Sequence, residues 1–584
     1  MSQRRSNAKA RLPPARAERP AVPAASTWFE RWSAGLIMAA VLAVNQGLML
    51  MVFPPIPNND SVSYVEFGHV SHAKRPIDHY APPDRIPSVA EIPKVEAWRR
   101  HAYPSYGYPW MFLDLPADWE TNWSWVTTAT KPPLAADRLV PTNHEWDNAF
   151  PVGASLYFDL LMVLFPSSWR AFIFVLLNHV FVIVVSLLLW RTATEISWAR
   201  LGWWTGLVYG LAFGPGARAQ ELMTEPLFIV LDIAALYLIV KGCTRGRTVA
   251  LAAGGVALGA AFAVRAVAVL QPAVVAVAVV LMSKSWREWF AKTATCMLPF
   301  AAVCLLVLLH NWISYGRLSY STAFGRHLFN RVVTVDRDLQ PADASTQLIL
   351  DLAARPRSGG DAVHPYQNGR LNVYSNSSCW SLYWMLRWQG LSVEQADGYL
   401  RRAALAAIRS DPLGYAGRGV QNIFTMGRYS YSPFLLQVTE PRAYWQYIAR
   451  WFVPQFRLAP YNWVAAQWRV FKEEIPLYGP PQYFSASQRR ALIGVWDALP
   501  RVLGVGFYLA MLGVGIAAWH SRREWWLLIA GWYFSLLLVP AFLQAPNTRY
   551  AEPALPVGLL LAGYAGVCTC MFVAARVGLS TEGR

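Results

Sequence analysis

Ten apolar runs of membrane-spanning or near-spanning length recur along this chain of 584 residues and limit what it can fold into. A lone helix needs about 20 mostly apolar residues to cross a bilayer, so the shorter runs must extend into their flanks. The chain is 55% hydrophobic and only 15% charged, which is typical of membrane proteins. We therefore predict an all-α polytopic membrane protein with about ten transmembrane helices. The runs are Ser33–Phe53, Ala171–Trp190, Leu201–Phe213, Leu227–Val240, Val249–Val264, Ala266–Met282, Thr293–Leu309, Val502–Trp519, Trp525–Phe542 and Pro556–Ala574.

The distribution of basic residues predicts the orientation of these helices. If the basic N-terminal tail is cytoplasmic, every second loop is cytoplasmic too, and each of those loops is short and basic, as the positive-inside rule requires. Both termini are then cytoplasmic. The basic residues of the predicted cytoplasmic loops and of the C-terminal end are Arg191 and Arg200; Lys241, Arg245 and Arg247; Lys284, Arg287 and Lys292; His520, Arg522 and Arg523; and Arg576.

This topology places two long polar segments outside the cytoplasm and divides the chain into four parts. We expect a disordered basic cytoplasmic tail over 1–32, and a transmembrane module over 33–313 whose long first outer loop covers 54–170. An extracytoplasmic and interfacial segment follows over 314–501, and a C-terminal three-helix membrane segment over 502–584.

The net charge of +17 would suggest nucleic acid in a soluble protein, but here basic cytoplasmic loops and anionic lipid explain much of it. No nucleic-acid motif is visible, so the expected partners include membrane lipids and exclude DNA and RNA. Five of the six cysteines lie in or beside apolar runs, so no disulfide framework is implied.

Short patterns predict further elements in the polar segments. The apolar stretch Pro151–Phe165 predicts an interfacial helix. Ser392–Gln395 is a capping box that predicts the start of an amphipathic helix, which runs to Ser410 and is stopped by Asp411-Pro412. We predict interfacial helices over Gly414–Gly427 and Tyr444–Phe456, and a loop over Arg355–Ser378.

Ionic residues collect at the ends of the spans that this topology places outside. Asp60 follows the first span, and the cluster His144-Glu145-Trp146-Asp147 precedes Pro151. Because chance placement would scatter such residues over both faces, we expect them to converge on one face of the membrane. The others are Glu221 and Glu225 before the fourth span, Arg265 between the fifth and sixth, and Arg549-Tyr550 before the last.

Each of these residues also has a purely structural interpretation. Asp60 could cap a short interfacial helix, and Thr224, Glu225 and Pro226 suit the first turn of a helix. Arg265 could be a snorkelling arginine, and Arg549 with Tyr550 an interfacial anchor pair. In the same way, Glu145 and Asp147 could be exposed loop acids. Asp232 lies inside a span and must face protein, water or a basic partner, which the sequence does not identify.

Several of these motifs resemble the GT-C superfamily of integral-membrane glycosyltransferases, especially protein O-mannosyltransferases and the lipid A aminoarabinose transferases. The match covers nearly the whole chain as architecture. The acidic cluster departs from the usual acidic-Lys-Pro-Pro pattern, which leaves open whether Glu145 or Asp147 is the equivalent acid. The motifs are Asp60 after the first span, the acidic cluster before Pro151, Thr224-Glu225-Pro226-Leu227, Gly254–Arg265 with Pro272, Ala403–Ile408 into Ser410-Asp411-Pro412, and Arg549-Tyr550 with Pro553 and Pro556.

The resemblance implies transfer of a sugar from a polyprenyl-phosphate donor to a lipid, glycan or protein acceptor on the extracytoplasmic face, with inversion at the sugar carbon. Asp60 would be the general base, and Glu145 or Asp147 would assist it or help to hold a metal. Arg265, Arg549 and Tyr550 would bind the donor phosphate. Glu225 is a further candidate site residue, with no assigned role. Asp60 and His144 could share a divalent metal such as Mg, Mn or Zn.

Two functions from other classes compete with this one. A membrane transporter or lipid flippase usually shows paired repeats and broken helices at mid-membrane, and this chain shows no repeat. A non-catalytic envelope scaffold would not need an acid and arginines at helix ends.

The Ala- and Arg-rich composition is compatible with a bacterial inner membrane.

Overall fold

A computed structural model describes residues 28–56, 151–332, 346–349, 366–367, 370–371, 383, 386, 391–428, 483–517, 523–544 and 548–576. In this part of the chain the fold is helical apart from one pair of two-residue strands. The α-helices are α1 Trp28–Val52, α2 Val152–Leu164, α3 Ser167–Glu195, α4 Ala199–Leu211, α5 Phe213–Ala219, α6 Glu225–Arg245, α7 Thr248–Val264, α8 Gln271–Met282, α9 Trp286–Tyr315, α10 Phe324–Arg331, α11 Val393–Ser410, α12 Pro412–Arg428, α13 Ala486–Ala517, α14 Arg523–Leu543 and α15 Leu555–Arg576. Two 3-10 helices cover Ala266–Leu270 and Thr548–Ala554.

Six of the described helices are long and apolar enough to cross a membrane, which indicates a multi-pass integral membrane protein. They are α1, α3, α6, α9, α14 and the helix that continues from Tyr550 through α15. All ten predicted runs are mainly helical, but α4 has only 13 residues and α7 only 17. The prediction of about ten spans is therefore confirmed for six helices by length and composition.

The predicted span Leu201–Phe213 is interrupted, which corrects its expected end. Helix α4 stops at Leu211, the backbone of Ala212 is extended, and α5 begins at Phe213. All seven residues of α5 are buried. The apolar run therefore contains one short helix and the start of a second, because hydropathy alone does not report a break in the helical hydrogen bonds.

A stripe of glycines lets α4 pack closely against its neighbours. Gly202, Gly206 and Gly210 recur every four residues, so they lie on one face of the helix. A Cβ on Gly206 would collide with the backbone oxygen of Ser186 in α3, and one on Gly210 would meet Leu42 of α1. Small residues that allow such close approach are a common basis of helix association in membranes.

The largest core lies between α3, α6, α7, α8, α14 and α15. Within it, the Asp232 side chain is fully buried and has two neutral partners. Gln271 Nε2 donates to Asp232 Oδ1, and Trp532 Nε1 donates to Asp232 Oδ2 over 2.9 Å. These contacts join α6, α8 and α14, and they identify the polar partners of Asp232 that the sequence left open.

Helices of the predicted outer segment dock on the membrane helices. The capping box at Ser392 is confirmed, because its hydroxyl accepts from the Gln395 amide while the Gln395 side chain accepts from the Ser392 amide. Helix α11 ends at Ser410, as predicted, and α12 covers the predicted Gly414–Gly427 helix. Asn422 of α12 donates to the Ala541 carbonyl of α14 over 3.1 Å. Tyr444–Phe456 lies outside the described residues.

The loop predicted over Arg355–Ser378 needs one correction. Tyr366–Gln367 and Arg370–Leu371 form a two-stranded antiparallel pair in which Gln367 faces Arg370. The sequence between them is Asn368-Gly369, the dipeptide most favoured in two-residue hairpin loops. The signal was present in the sequence and the loop prediction missed it.

Two of the segment boundaries drawn from the sequence lie within helices. Helix α9 runs past residue 313 to Tyr315, and α13 continues through residues 501 and 502.

Candidate functional site

The chain leaves α1 against the turn that joins α5 to α6. The Ile56 amide donates to the Gln220 carbonyl over 2.8 Å, and the Leu222 amide donates to the Ile56 carbonyl over 2.9 Å. These bonds form a parallel bridge between Ile56 and Glu221. Asp60 is four positions further along the sequence and lies outside the described residues.

A buried polar network holds this turn in place. Asn178 of α3 donates to the carbonyls of Ala219 and Glu221, over 3.2 and 3.1 Å. His179 Nδ1 lies 2.6 Å from Gln46 Oε1 of α1, and His179 Nε2 lies 3.0 Å from Gln220 Nε2. Because an amide oxygen accepts and an amide nitrogen donates, His179 carries its proton on Nδ1. The network joins α1, α3 and the turn, which together we call the platform.

Arg218, in the last turn of α5, joins two carboxylates. Its Nε and Nη2 each donate to one oxygen of Glu552 over 2.7 Å, a two-pronged contact that we call the Arg218–Glu552 fork. Its Nη1 donates to Glu221 Oε2 over 2.6 Å. Glu552 belongs to the 3-10 helix Thr548–Ala554, which also carries Arg549 and Tyr550. The fork therefore ties the predicted Arg-Tyr segment to the platform.

The structure describes Arg549 and Tyr550 to different extents. The backbone of Arg549 is described and its side chain is not. The Tyr550 side chain is half-buried and packs at the edge of the main core. Both residues lie within three positions of Glu552 in the sequence, so their helix is held by the fork.

The Glu221 carboxyl is buried among charges of both signs. Burial raises its pKa from the ordinary value of 4.5 to about 7, and the nearby Glu552 and Glu225 carboxylates raise it as well. The Arg218 guanidinium acts in the opposite direction. Glu221 is thus an acid that can gain or lose a proton near neutral pH.

Arg265 and Glu225, which the sequence placed separately, form an ion pair. Arg265 Nη1 lies 2.5 Å from Glu225 Oε1, the Arg265 side chain is 15% exposed and the Glu225 side chain is fully buried. Arg265 has an extended backbone between α7 and the following 3-10 helix. Its side chain is therefore partnered inside the protein, which is not the snorkelling arrangement. Glu225 does open α6 ahead of Pro226, but Thr224 makes no side-chain cap, contrary to the capping interpretation.

The loop after α9 packs against the end of α7, next to Arg265. The Tyr320 ring lies 4.3 Å from that of Phe262, and Asn311 Nδ2 donates to the Ser319 carbonyl over 2.8 Å, which fixes this loop. The Tyr320 hydroxyl is buried and has no hydrogen-bond partner in the described part of the chain. Burial raises the Tyr320 pKa, and Arg265 opposes that shift.

The start of α2 packs against the same end of α7. A Cβ on Gly153 would lie 2.8 Å from the Ala263 carbonyl carbon and 2.9 Å from the Val264 nitrogen. The predicted acidic cluster with His144, Glu145 and Asp147 precedes this glycine in the sequence and lies outside the described residues. The structure shows where the chain continues after the cluster, beside Arg265.

A metal site finds no support among the described residues, which contain no group of three or more His, Cys, Asp or Glu side chains able to hold an ion. The metal pair considered from the sequence, Asp60 and His144, falls outside them. A divalent metal therefore stays a prediction.

Taken together, the contacts bring five chain segments to one end of the bundle, which we call the site end. They are the end of α1, the start of α2, the turn from Arg218 to Glu225, the segment around Arg265 and the 3-10 helix 548–554. Sequence reasoning missed Arg218 and Glu552 as partners. The signals were an arginine among small and apolar residues, and an acid two positions after Tyr550.

Comparisons with known proteins add no family assignment. Neither a protein-family model nor a curated protein matches the chain significantly.

Proposed function

We propose that the protein is a membrane-embedded glycosyltransferase that moves a sugar from a polyprenyl-phosphate donor to an acceptor on the extracytoplasmic face. The convergence of the five segments at the site end carries this proposal. It brings Arg265, Glu225 and the Arg549–Tyr550 helix close to the point where the chain leaves α1 towards Asp60. Buried charge at one end of apolar helices is costly, and it is typically retained where it acts on a substrate.

The donor phosphate would bind at Arg265. A guanidinium has five N–H donors and can hold a carboxylate and a phosphate at once, so Glu225 would orient Arg265 rather than block it. The buried Tyr320 hydroxyl near Arg265 supplies a further donor. Arg549 and Tyr550 would complete this subsite, and the apolar surfaces of the helices would receive the polyprenyl chain.

The reaction would be a single displacement at the anomeric carbon. The acceptor oxygen forms the new bond as the bond from carbon to phosphate oxygen breaks, and polyprenyl phosphate leaves with the electron pair. Asp60 takes the acceptor proton, and Glu145 or Asp147 assists it. Arg265 stabilises the negative charge that grows on the leaving phosphate, which favours the transition state over the bound donor. Attack opposite to the phosphate gives inversion.

The cellular setting and the partners follow from the same proposal. The protein would lie in a bacterial inner membrane with both termini in the cytoplasm and the site end facing the periplasm. Its acceptor would be a lipid, a glycan or a protein. If a divalent Mg, Mn or Zn ion takes part, Asp60 and His144 would bind it.

The test is transfer by the purified protein from a polyprenyl-phosphate sugar, with mass spectrometry of envelope glycans and lipids to identify the missing product in cells lacking the gene. Asp60→Asn should lower the transfer rate by about 10²- to 10⁴-fold, the usual contribution of a general base, and leave the unfolding temperature unchanged. The matched control is Asp411→Asn, which removes an exposed carboxylate that accepts from the Gly414 amide between α11 and α12.

A wild-type rate for Asp60→Asn would contradict the role of that residue. Unchanged envelope glycans and lipids in cells lacking the gene, with no transfer in vitro, would contradict the function itself. Transport or partner binding that persists in Asp60→Asn would then favour a transporter, a flippase or a scaffold.

A further inference from the structure

The Arg218–Glu552 fork joins two residues 334 positions apart in the chain. Its two sides differ in how they are held. Arg218 lies in α5, whose seven residues are all buried and whose following turn is fixed by Asn178, Gln220 and the bridge to Ile56. Glu552 lies in a short 3-10 helix between α14 and α15. The Arg218 side is therefore the platform, and the Glu552 side is the part that the fork positions.

We propose that Arg218 is a positioning residue. It holds the 3-10 helix 548–554, which carries Arg549 and Tyr550, at a fixed position relative to the Arg265–Glu225 pair. This inference rests on the proposed function, because it concerns how the phosphate-binding groups are set relative to each other. Arg218 itself is not proposed to touch the donor.

The choice of residues at this contact supports a geometric role. Removing two charges from water is costly, and apolar side chains of similar size would hold two segments together at least as well. An arginine that grips a carboxylate through two parallel bonds fixes orientation as well as distance, which apolar packing does not. The side chains of Arg218 and Glu552 are only 11% and 13% exposed, so water competes little for these bonds.

Glu221, the second partner of Arg218, allows the effect of the fork's geometry to be tested apart from the effect of local charge. Glu221 receives a single bond from Nη1, whereas Glu552 receives two bonds. Replacing Glu221 by glutamine keeps the fork and changes the local charge. Replacing Arg218 by lysine keeps the charge and removes the fork. The proposal predicts that only the second change releases the 3-10 helix.

The structural measurement is the reactivity of a cysteine placed at the half-buried Ala551, next to Glu552. The full-length protein is labelled with a maleimide in detergent, and mass spectrometry of the peptide that carries residue 551 gives the labelling rate. Adding Arg218→Gln or Arg218→Lys to Ala551→Cys should raise this rate about tenfold or more, as expected when a charge-assisted buried contact is lost. Adding Glu221→Gln should leave it within about twofold.

The chain offers a matched control at the opposite end of the bundle. Arg245 grips Glu195 through Nε and Nη2 over 2.8 Å each, so Arg245→Gln removes the same kind of fork away from the site. It should change neither the labelling of residue 551 nor transfer. Glu552→Gln disrupts the Arg218–Glu552 fork from its other side. It replaces Arg218→Gln in the labelling experiment if that variant does not fold.

The kinetic measurement is the KM for a polyprenyl-phosphate sugar. Arg218→Lys should raise the donor KM about tenfold or more, with a smaller change in kcat, because a displaced Arg549–Tyr550 helix weakens phosphate binding. Unchanged labelling in both Arg218 variants and in Glu552→Gln would overturn the proposal whether or not transfer occurs. Faster labelling with an unchanged donor KM would also overturn it, since the fork would then be only a structural tie. Absence of transfer by the wild-type protein would refute the proposed function, and the labelling would still report on the fork.

Discussion

Glu221 shows how three glutamates and two arginines can share a small buried volume. Arg218 contacts both Glu221 and Glu552, and Arg265 contacts Glu225. These five side chains have one more acid than base, so neutralising one acid lowers the cost of burying the group. Glu552 has two bonds to Arg218 and Glu225 has its own arginine. Glu221 has a single bond, and it is the acid whose pKa burial raises to about 7.

This arrangement predicts a pH dependence of stability. The folded protein holds the Glu221 proton more tightly than the unfolded chain does, so the associated stability is fully present below the ordinary pKa of 4.5 and is lost as the pH rises through about 7. A tenfold change in proton affinity corresponds to about 1.4 kcal/mol. The rise of the Glu221 pKa from 4.5 to about 7 therefore corresponds to about 3 kcal/mol of folding stability. The unfolding temperature in detergent should therefore fall between pH 5 and pH 7.5.

The control for this pH dependence is a pair of isosteric variants. Glu221→Gln should remove most of the slope between pH 5 and pH 7.5. Glu195→Gln, which alters the fork at the opposite end, should retain it. A slope that persists unchanged in Glu221→Gln would assign the titration to another group.

Sequence reasoning singled out residues whose charge is unusual in its local context. Arg265 between two apolar runs and Glu225 at the start of another were both identified, and the structure pairs them. The reasoning did not find the partner of either, because a contact across 40 residues depends on how α6 and α7 pack. Arg218 was missed because it lies beyond the predicted span Leu201–Phe213, in the stretch before the fourth span that was interpreted as a short outer turn. In the structure this stretch begins with the buried helix α5, which contains Arg218.

At the scale of elements, the glycine stripe on α4 determines how closely three helices approach. The apolar pattern located α4, but it could not show that Gly206 lies directly against the backbone of α3. The capping box of α11 was predictable because it is a local signal in which Ser392 and Gln395 satisfy each other. Close helix approach needs two elements, so a single sequence shows only the spacing of Gly202, Gly206 and Gly210.

Two glycine substitutions in apolar helices should therefore have opposite effects on stability. Gly206→Ala would push a methyl group against the Ser186 carbonyl and force α4 away from α3, at a cost of about 1–3 kcal/mol. Gly566→Ala in α15 meets nothing within 4 Å, and alanine favours a helix over glycine by up to about 1 kcal/mol. Thermal unfolding of the two variants in the same detergent tests this. Equal unfolding temperatures would mean that α4 can shift at little cost.

At the scale of the whole molecule, the bundle has two chemically different ends. At the site end, acids and arginines are buried in pairs around the turn from Arg218 to Glu225. At the opposite end, the more exposed Arg245 joins Glu195, and α6 separates the two ends by 21 residues, or about 30 Å. The predicted topology places the end with short basic loops in the cytoplasm and the site end outside.

The two ends should therefore react with a membrane-impermeant maleimide from opposite sides of the membrane. Leu318, after α9, is exposed near the site end, and Thr248, at the start of α7, is exposed near the opposite end. In a background without the six native cysteines, Leu318→Cys should be labelled in intact spheroplasts and Thr248→Cys only after the membrane is permeabilised. The reverse pattern would place Arg265 and Glu225 in the cytoplasm. There, an extracytoplasmic transferase could not use them, whatever their distances in the folded protein.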